Sequence, residues 1–372
     1  MPYYPPPPIK FPQPPQSVLL IATRQIGDVL LSTPLLHSMR MAWPSARIDV
    51  LVYMGKGGML EGNSDCNEVI ESDEHPDTFG YWRLLRRILN RYELAVSTQA
   101  NDRGHLYAWL SARLRVGLVS SMGKDSLFKR MSCHRWAVMD NVLTHTVVQN
   151  LVLADRMSVQ KCYSIIPPSA ADAEEQLDRL LPFDWRQTPY ATLHPYPMWQ
   201  YKRWTNEGWR SVLAYLAATG KRVVITGGPE NQERTACEAL AASCPESAVS
   251  IAGGAGFGVL ARLMKDAAVY VGPDTATTHL AAACGTRTIA LYGPSNPVKW
   301  GPWPLGWSSD RSPWQMYSQP WQKAGNVLML QGLGDCVPCR EEGCEHHKNS
   351  NSNCLSNLAN SRVIEALEHF CQ

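Results

Sequence analysis

The stretch Val271–Thr286, VGPDTATTHLAAACGT, closes an apolar run on Pro273 and Asp274. Thr275, Ala276, Thr277, Thr278 and His279 follow, and then a small-residue helix. A helix start presents N–H groups without intrahelical acceptors, together with the positive end of the helix dipole. An acid and several hydroxyls at such a step serve one of two purposes. Either Asp274 or Thr275 caps the helix, or the junction seats an anionic ligand such as a phosphate. Asp28, in TRQIGDVLLSTP, is a second acid at a strand-to-helix step. It is a candidate general base, or else a first-turn acid favoured by the dipole. Lys202, in LHPYPMWQYKRW, is a compact cation able to offset a leaving phosphate, with Arg203 as its rival. Glu233, in GGPENQER, stands where an acid at a sheet rim binds ribose hydroxyls, or is a solvated helix acid.

These residues must be positioned by regular elements. SVLLIA, RIDVLVY, YELAVST and RVGLV read as strands of a first series, with helical patterns between them and HTVVQNLVLADRM closing it. A second series begins with YATLHP. It runs through a helix from about Thr205 to Gly220, then RVVITGG, NQERTACEALAAS, AVSIAG, FGVLARLMKDA and AVYVG, and takes TIALYGP as its last strand. Alternation of strand and helix predicts parallel sheets covered on both faces. Two such domains leave a cleft near the carboxyl ends of their strands. GGAGFG lacks the βαβ context of a dinucleotide fingerprint and reads as a turn. Prolines on both sides of a polar segment place the domain boundary near residue 185, giving domains 17–185 and 186–372. Residues 1–16 are a Pro-rich lead-in, extended or disordered.

At 372 residues, 45% hydrophobic and 18% charged, the composition is globular, and a net charge of +2 argues for no particular partner. Basic residues nevertheless cluster at Arg83–Arg91 and at Lys124–Arg135. Each cluster is an anion-attracting face or merely a solvated one. No secretory signal and no spanning segment is visible, so the expected location is cytoplasmic. Of eleven cysteines, Cys336, Cys339, Cys344 and Cys354 form C-x2-C-x4-C-x9-C. That spacing permits a structural zinc, reduced packing thiols or a local disulfide.

Taken in order, TRQIGD, YKRW, TGGPENQER, GPDTATTH, LYGPSNP and the Cys-rich tail resemble the heptosyltransferases of lipopolysaccharide core synthesis, over about residues 17–371. The resemblance implies an α/β, GT-B-type fold of two Rossmann-like domains and an inverting, single-displacement sugar transfer. Its donor would be ADP-heptose. Its acceptor would be a lipid-borne core oligosaccharide at the inner face of the cytoplasmic membrane, which the protein contacts peripherally; no nucleic acid is involved. It implies Asp28 as the base, with Thr23, Arg24, Gln25 and Gly27 lining the acceptor side. It implies Lys202 at the diphosphate, and a donor site made of Asp274, Thr275, Ala276, Thr277, His279, Glu233 and His194. Arg103, Lys124 and Arg130 are the expected counter-charges for an anionic acceptor. No D-x-D triplet is present, so no catalytic metal is expected. Alternatives are transfer of another sugar, sugar-nucleotide epimerisation, or nucleotide binding without catalysis.

Overall fold

The computed structural model describes residues 6–316 and 320–371; the first five residues of the lead-in, residues 317–319, the side chains of Asp125 and Cys371 and the terminal Gln372 lie outside that description. The chain divides into two compact units. The first ends at Ile166 and takes back Ser308–Arg311, and the second comprises Pro167–Trp307 and Ser312–Gln372.

In the first unit, β1 (Ser17–Ile21) leads through α1 (Ile26–Leu30) and α2 (Thr33–Ala42) to β2 (Arg47–Tyr53) and β3 (Glu68–Ser72). The chain continues through α3 (Thr78–Ile88), β4 (Tyr92–Ser97), α4 (Asp102–Ser111), β5 (Ala112–Val119), α5 (Leu127–Ser132), β6 (Arg135–Val138) and α6 (Thr146–Arg156). The six strands are all parallel, in the order β3-β2-β1-β4-β5-β6. Val18 to Ile21 have no exposed surface, as expected of a central strand covered on both faces. β3 and β6 escape the sequence pattern because both are short edge strands with exposed or half-buried positions. The lead-in is docked rather than disordered from residue 6 onward. Ile9 N–H donates to the Arg156 carbonyl at 2.9 Å, and Phe11 packs edge-on against Trp43.

The second unit opens with α7 (Ala173–Leu180) and β7 (Tyr190–Leu193). It continues with α8 (Asn206–Ala218), β8 (Arg222–Ile225), α9 (Asn231–Ala242), β9 (Ala248–Ser250) and α10 (Phe257–Asp266). Next come β10 (Val269–Pro273), α11 (Ala276–Ala283), β11 (Thr288–Tyr292) and α12 (Pro297–Trp300), then β12 (Gln322–Ala324), β13 (Val327–Gln331), α13 (Asn353–Ser356) and α14 (Asn360–Cys371). The strand order is β12-β13-β11-β10-β7-β8-β9, parallel except for the β12–β13 hairpin. β11 is therefore not the last strand: β13, VLMLQ, pairs with it in parallel. α14 also escaped the sequence pattern, although its Val363, Ala366 and Leu367 join the core of this unit.

The change of unit falls at Ile166, ahead of the boundary near 185 expected from the prolines. The segment leading into α7 is committed to the second unit by packing. Glu174 pairs with Arg262 of α10 at 3.0 Å, and Arg262 also stacks over Trp185. A Cβ on Gly258 would lie 2.6 Å from the backbone nitrogen of Ala170. Gly258→Ala should therefore lower stability by about 1–3 kcal/mol, the usual cost of overpacking against atoms that cannot move away. Urea unfolding measures this, and an unchanged midpoint would show that residues 169–170 are not held on α10.

Candidate active site

In an open parallel sheet, ligands bind where the strand order reverses, beyond the carboxyl ends. The second sheet reverses between β7 and β10, which are neighbours although α8, β8, α9, β9 and α10 lie between them in the chain. The loops leaving these two strands carry Lys202 and Asp274. Lys202 Nζ lies 2.6 Å from Asp274 Oδ2, so the reversal is bridged by an ion pair. Ser295 Oγ donates to the same oxygen at 2.6 Å, and Tyr292 Oη donates to Oδ1 at 3.2 Å. Burial alone would raise the Asp274 carboxyl. Lys202, the adjacent His279 and the Ser295 hydroxyl outweigh it and hold the group below its usual range.

Of the two purposes of the Asp-Thr step, side-chain capping by Thr275 is not the one the structure uses. Thr275 is the N-cap of α11 by backbone position, but its side chain makes no capping bond and the Asp274 carboxylate faces Lys202. Thr275, Ala276 and Thr277 form the start of this helix. Thr278 instead turns inward, bonding Tyr270 and the Pro273 carbonyl. His194 continues the β7 ladder by donating its N–H to the Val271 carbonyl at 3.0 Å. Its ring contacts Thr226 Oγ1 at 3.0 Å and Thr277 Oγ1 at 3.5 Å. His279 is buried one turn into α11, and its Nδ1 has no hydrogen-bond partner among the described residues.

Glu233 sits at the start of α9 and accepts the Gly228 N–H at 2.7 Å. Burial raises its carboxyl, against the Gly228 N–H and Arg203. It lines a cavity of about 400 Å³ beside the Lys202 loop, together with Tyr196, Arg203, Asn206 and Gln232. Glu233 is thus half-buried and anchored, not a solvated helix acid.

The Cys-rich tail supports this site. Ser352 Oγ donates to the Tyr201 carbonyl at 2.7 Å, and Gln200 donates to Asn351 at 2.9 Å. Arg340 N–H donates to the Pro294 carbonyl at 2.8 Å, next to Ser295. The tail therefore fastens both the lysine loop and the loop that orients Asp274. Its thiols are free, and among the described residues no group of three His, Cys, Asp or Glu is placed to hold a metal ion.

The first sheet reverses between β1 and β4, and Asp28 follows β1. Gln25 is the N-cap of α1 and the Gly27 carbonyl accepts from Leu31 N–H at 3.0 Å, so Asp28 falls in the first turn. Asp28 is mostly buried, 3.5 Å from Arg24 Nη1. Thr23, between β1 and α1, is buried, with a hydroxyl that has no partner among the described residues. Thr98 and Gln99, missed in the sequence, are buried across the same reversal, where Thr98 donates to the Ile21 carbonyl.

The basic residues divide. Arg103 is tied to the Glu74 carbonyl and to Tyr53. Lys124 is exposed, and Arg130 reaches the Ser121 carbonyl at 3.4 Å. Lys129 is not part of a solvated face: it is buried and paired with Asp102 at 2.9 Å.

Residues 81–323 match the family described as glycosyltransferase family 9 (heptosyltransferase). The chain belongs to this family. It is therefore a glycosyltransferase of the heptosyltransferase family. It is 26% identical over 289 residues to lipopolysaccharide heptosyltransferase 3 of Escherichia coli (strain K12), covering 75% of this chain and 83% of that protein. The structure of E. coli ADP-heptose lps heptosyltransferase II superposes with a TM-score of 0.72 at 17% identity, covering 95% of this chain and 98% of that one. E. coli heptosyltransferase WaaC with ADP-2-deoxy-2-fluoro heptose gives 0.69 at 19%, covering 95% and 99%. The two parallel-stranded sheets are those of the GT-B fold.

Burial lowers His194 and His279 to about 4 each; the Thr226 backbone opposes this for His194, and Asp274 for His279. Both are neutral in the fold, while an unfolded histidine takes up a proton near pH 6.5. The unfolded chain binds more protons between those values, so this contribution to stability is complete above pH 6.5 and is lost as pH falls toward 4. Each histidine supplies a slope of up to about 1.4 kcal/mol per pH unit. Urea unfolding between pH 7 and 5 should show a shallower slope for His194→Asn and for His279→Asn. An unaltered slope would mean that the rings are protonated in the fold.

Proposed function

We propose that this glycosyltransferase moves heptose from ADP-heptose to a lipid-borne inner-core oligosaccharide, by inversion at the anomeric carbon. One observation carries the reading. The Lys202–Asp274 pair spans the strand reversal of the second sheet, beside an α11 start whose N-cap residue, Thr275, makes no side-chain capping bond. In this reading the second unit holds the donor. The Asp274 carboxylate accepts from sugar hydroxyls, and Lys202 with the N–H groups from Thr275 to Thr277 meets the diphosphate. Glu233 reaches the ribose from the adjoining cavity. Relatives named lipopolysaccharide heptosyltransferase, and a structural neighbour holding a fluorinated ADP-heptose, support this donor class.

The first unit supplies the base. The acceptor hydroxyl attacks the anomeric carbon and passes its proton to the Asp28 carboxylate. The bond from that carbon to the diphosphate oxygen breaks, and ADP leaves carrying the electron pair. Lys202 and the dipole of α11 meet the charge that develops on the leaving group, the role a divalent ion plays in metal-dependent transferases. Thr23, Arg24, Gln25 and Gly27 line the acceptor side of Asp28. Lys124 and Arg130 serve as counter-charges, and Arg103 acts through the loops it ties. Among the described residues no helix is long and apolar enough to cross a bilayer. We place the protein in the cytoplasm, against the inner face of the membrane that carries the acceptor.

The test is incubation with ADP-heptose and a panel of truncated core acceptors, in EDTA. An acceptor one heptose heavier, with ADP release only when acceptor is present, is expected. ADP release without acceptor would favour epimerisation or hydrolysis, and activity restored only by magnesium would overturn the metal-free leaving group. In the same assay Asp28→Asn should keep donor binding and lose about 10²–10⁴ in turnover, the range for removing a general base. Near-native turnover would remove Asp28 from the mechanism.

A further inference from the structure

We propose that the outer face of α3, α4 and α5 is the surface on which this protein docks onto an anionic lipid bilayer. The inference rests on the reading of a lipid-borne acceptor and assigns the face that meets the lipid. The crossovers from β3 to β4, β4 to β5 and β5 to β6 all run in the same direction across the sheet. Right-handed connections then place α3, α4 and α5 side by side on one face. Leu84 and Ile88 of α3 share a core with Tyr107 and Ala108 of α4 and with Leu19, Ile21 and Ala95 of the sheet.

The opposite sides of these helices ought to be wholly polar, but they carry large apolar side chains among the charged ones. Phe79 and Trp82 of α3 are 69% and 63% exposed, Trp109 of α4 is 53% exposed, and Met131 of α5 is 76% exposed. Leu106 and Phe128 are exposed beside them. Single exposed apolar residues are ordinary, but a run of large ones across three adjacent helices marks a surface that meets something apolar. Aromatic rings with cations around them suit the boundary between headgroups and acyl chains.

The charge favours a bilayer over an uncharged partner. The stretch from α3 to β6 is rich in Lys and Arg, of which Lys129 is turned inward to Asp102 and Arg87 is paired with Glu68. Arg83, Arg86, Arg113 and Lys124 are exposed, and α3 itself contains no acid. Arg83 lies over the Phe79 ring at 5.1 Å, joining the apolar and cationic parts of the face. Cations of this kind are attracted to an anionic leaflet within a Debye length.

Sedimentation with acceptor-free vesicles tests the proposal. The wild-type protein should pellet with vesicles containing phosphatidylglycerol and stay in solution with pure phosphatidylcholine. Trp82→Ser with Trp109→Ser should lower the partition coefficient about tenfold or more, since each ring withdraws a large apolar area from the lipid. The double variant should keep its melting temperature and its turnover on a water-soluble core oligosaccharide. Failure of the wild type to bind phosphatidylglycerol, or binding by the variant equal to wild type, would overturn the proposal. Self-association abolished by the same substitutions, without vesicle binding, would overturn it too and make the face an interface between copies. Vesicle binding by a wild-type protein that transfers no heptose would sink the functional reading and leave the docking face standing.

Discussion

The second unit is organised around one buried carboxylate. Asp274 is nearly inaccessible, and a lone ionised carboxylate there would cost several kcal/mol in lost hydration. It stays ionised because Lys202, from the loop after β7, and Ser295, from the loop after β11, converge on it, with Tyr292 at the end of β11. Removing one member of such a pair costs about 3–5 kcal/mol, because the other is left buried and uncompensated. The pair exists only because β7 and β10 are neighbours, which in turn requires the chain to build β8 and β9 on one side and then return. Strand order, loop length and charge placement thus serve a single contact at the reversal.

That dependence explains the C-terminal segment. Its sequence offers cysteines, and their spacing invites a metal. The contacts show something more modest: hydroxyl, amide and backbone bonds that hold the chain around Tyr201 and Pro294. Trp204 is fixed from the same side, its indole N–H donating to the Leu358 carbonyl at 2.9 Å. A lysine on a flexible stem is a poor recognition element unless its loop is held, because its rotamer freedom must be lost on binding. Here the tail orders the loop before any ligand arrives.

Much of this was legible beforehand, for reasons particular to each element. β1, β7, β8, β10 and β11 are short apolar runs bounded by turn residues, and α8 carries both its cap, Thr205, and its stop, Gly220 at positive φ. Asp274, Lys202 and Asp28 stand in the stretches that follow strands in the sequence, and those stretches leave the sheets at their reversals. Other features had no local signal. β12 and β13 follow a Trp- and Pro-rich stretch that masks their pattern. Lys129 looks like one of several surface bases, and only the fold reveals its burial against Asp102. The partners of Asp274 are 18 and 21 residues away, and nothing about Tyr292 or Ser295 in isolation names them. Periodicity reports burial along one element; it carries no information about which loops meet.

The central claim is that the Lys202–Asp274 pair forms the donor site. Calorimetric titration of ADP into the wild type, Lys202→Met, Asp274→Asn and the double variant tests it most directly. A charge-assisted contact to the diphosphate is worth roughly 1.5–3 kcal/mol, so Lys202→Met should weaken ADP binding about tenfold or more. The two substitutions should also be non-additive, as for groups in direct contact. A folded Lys202→Met protein that binds ADP with wild-type affinity would contradict the claim.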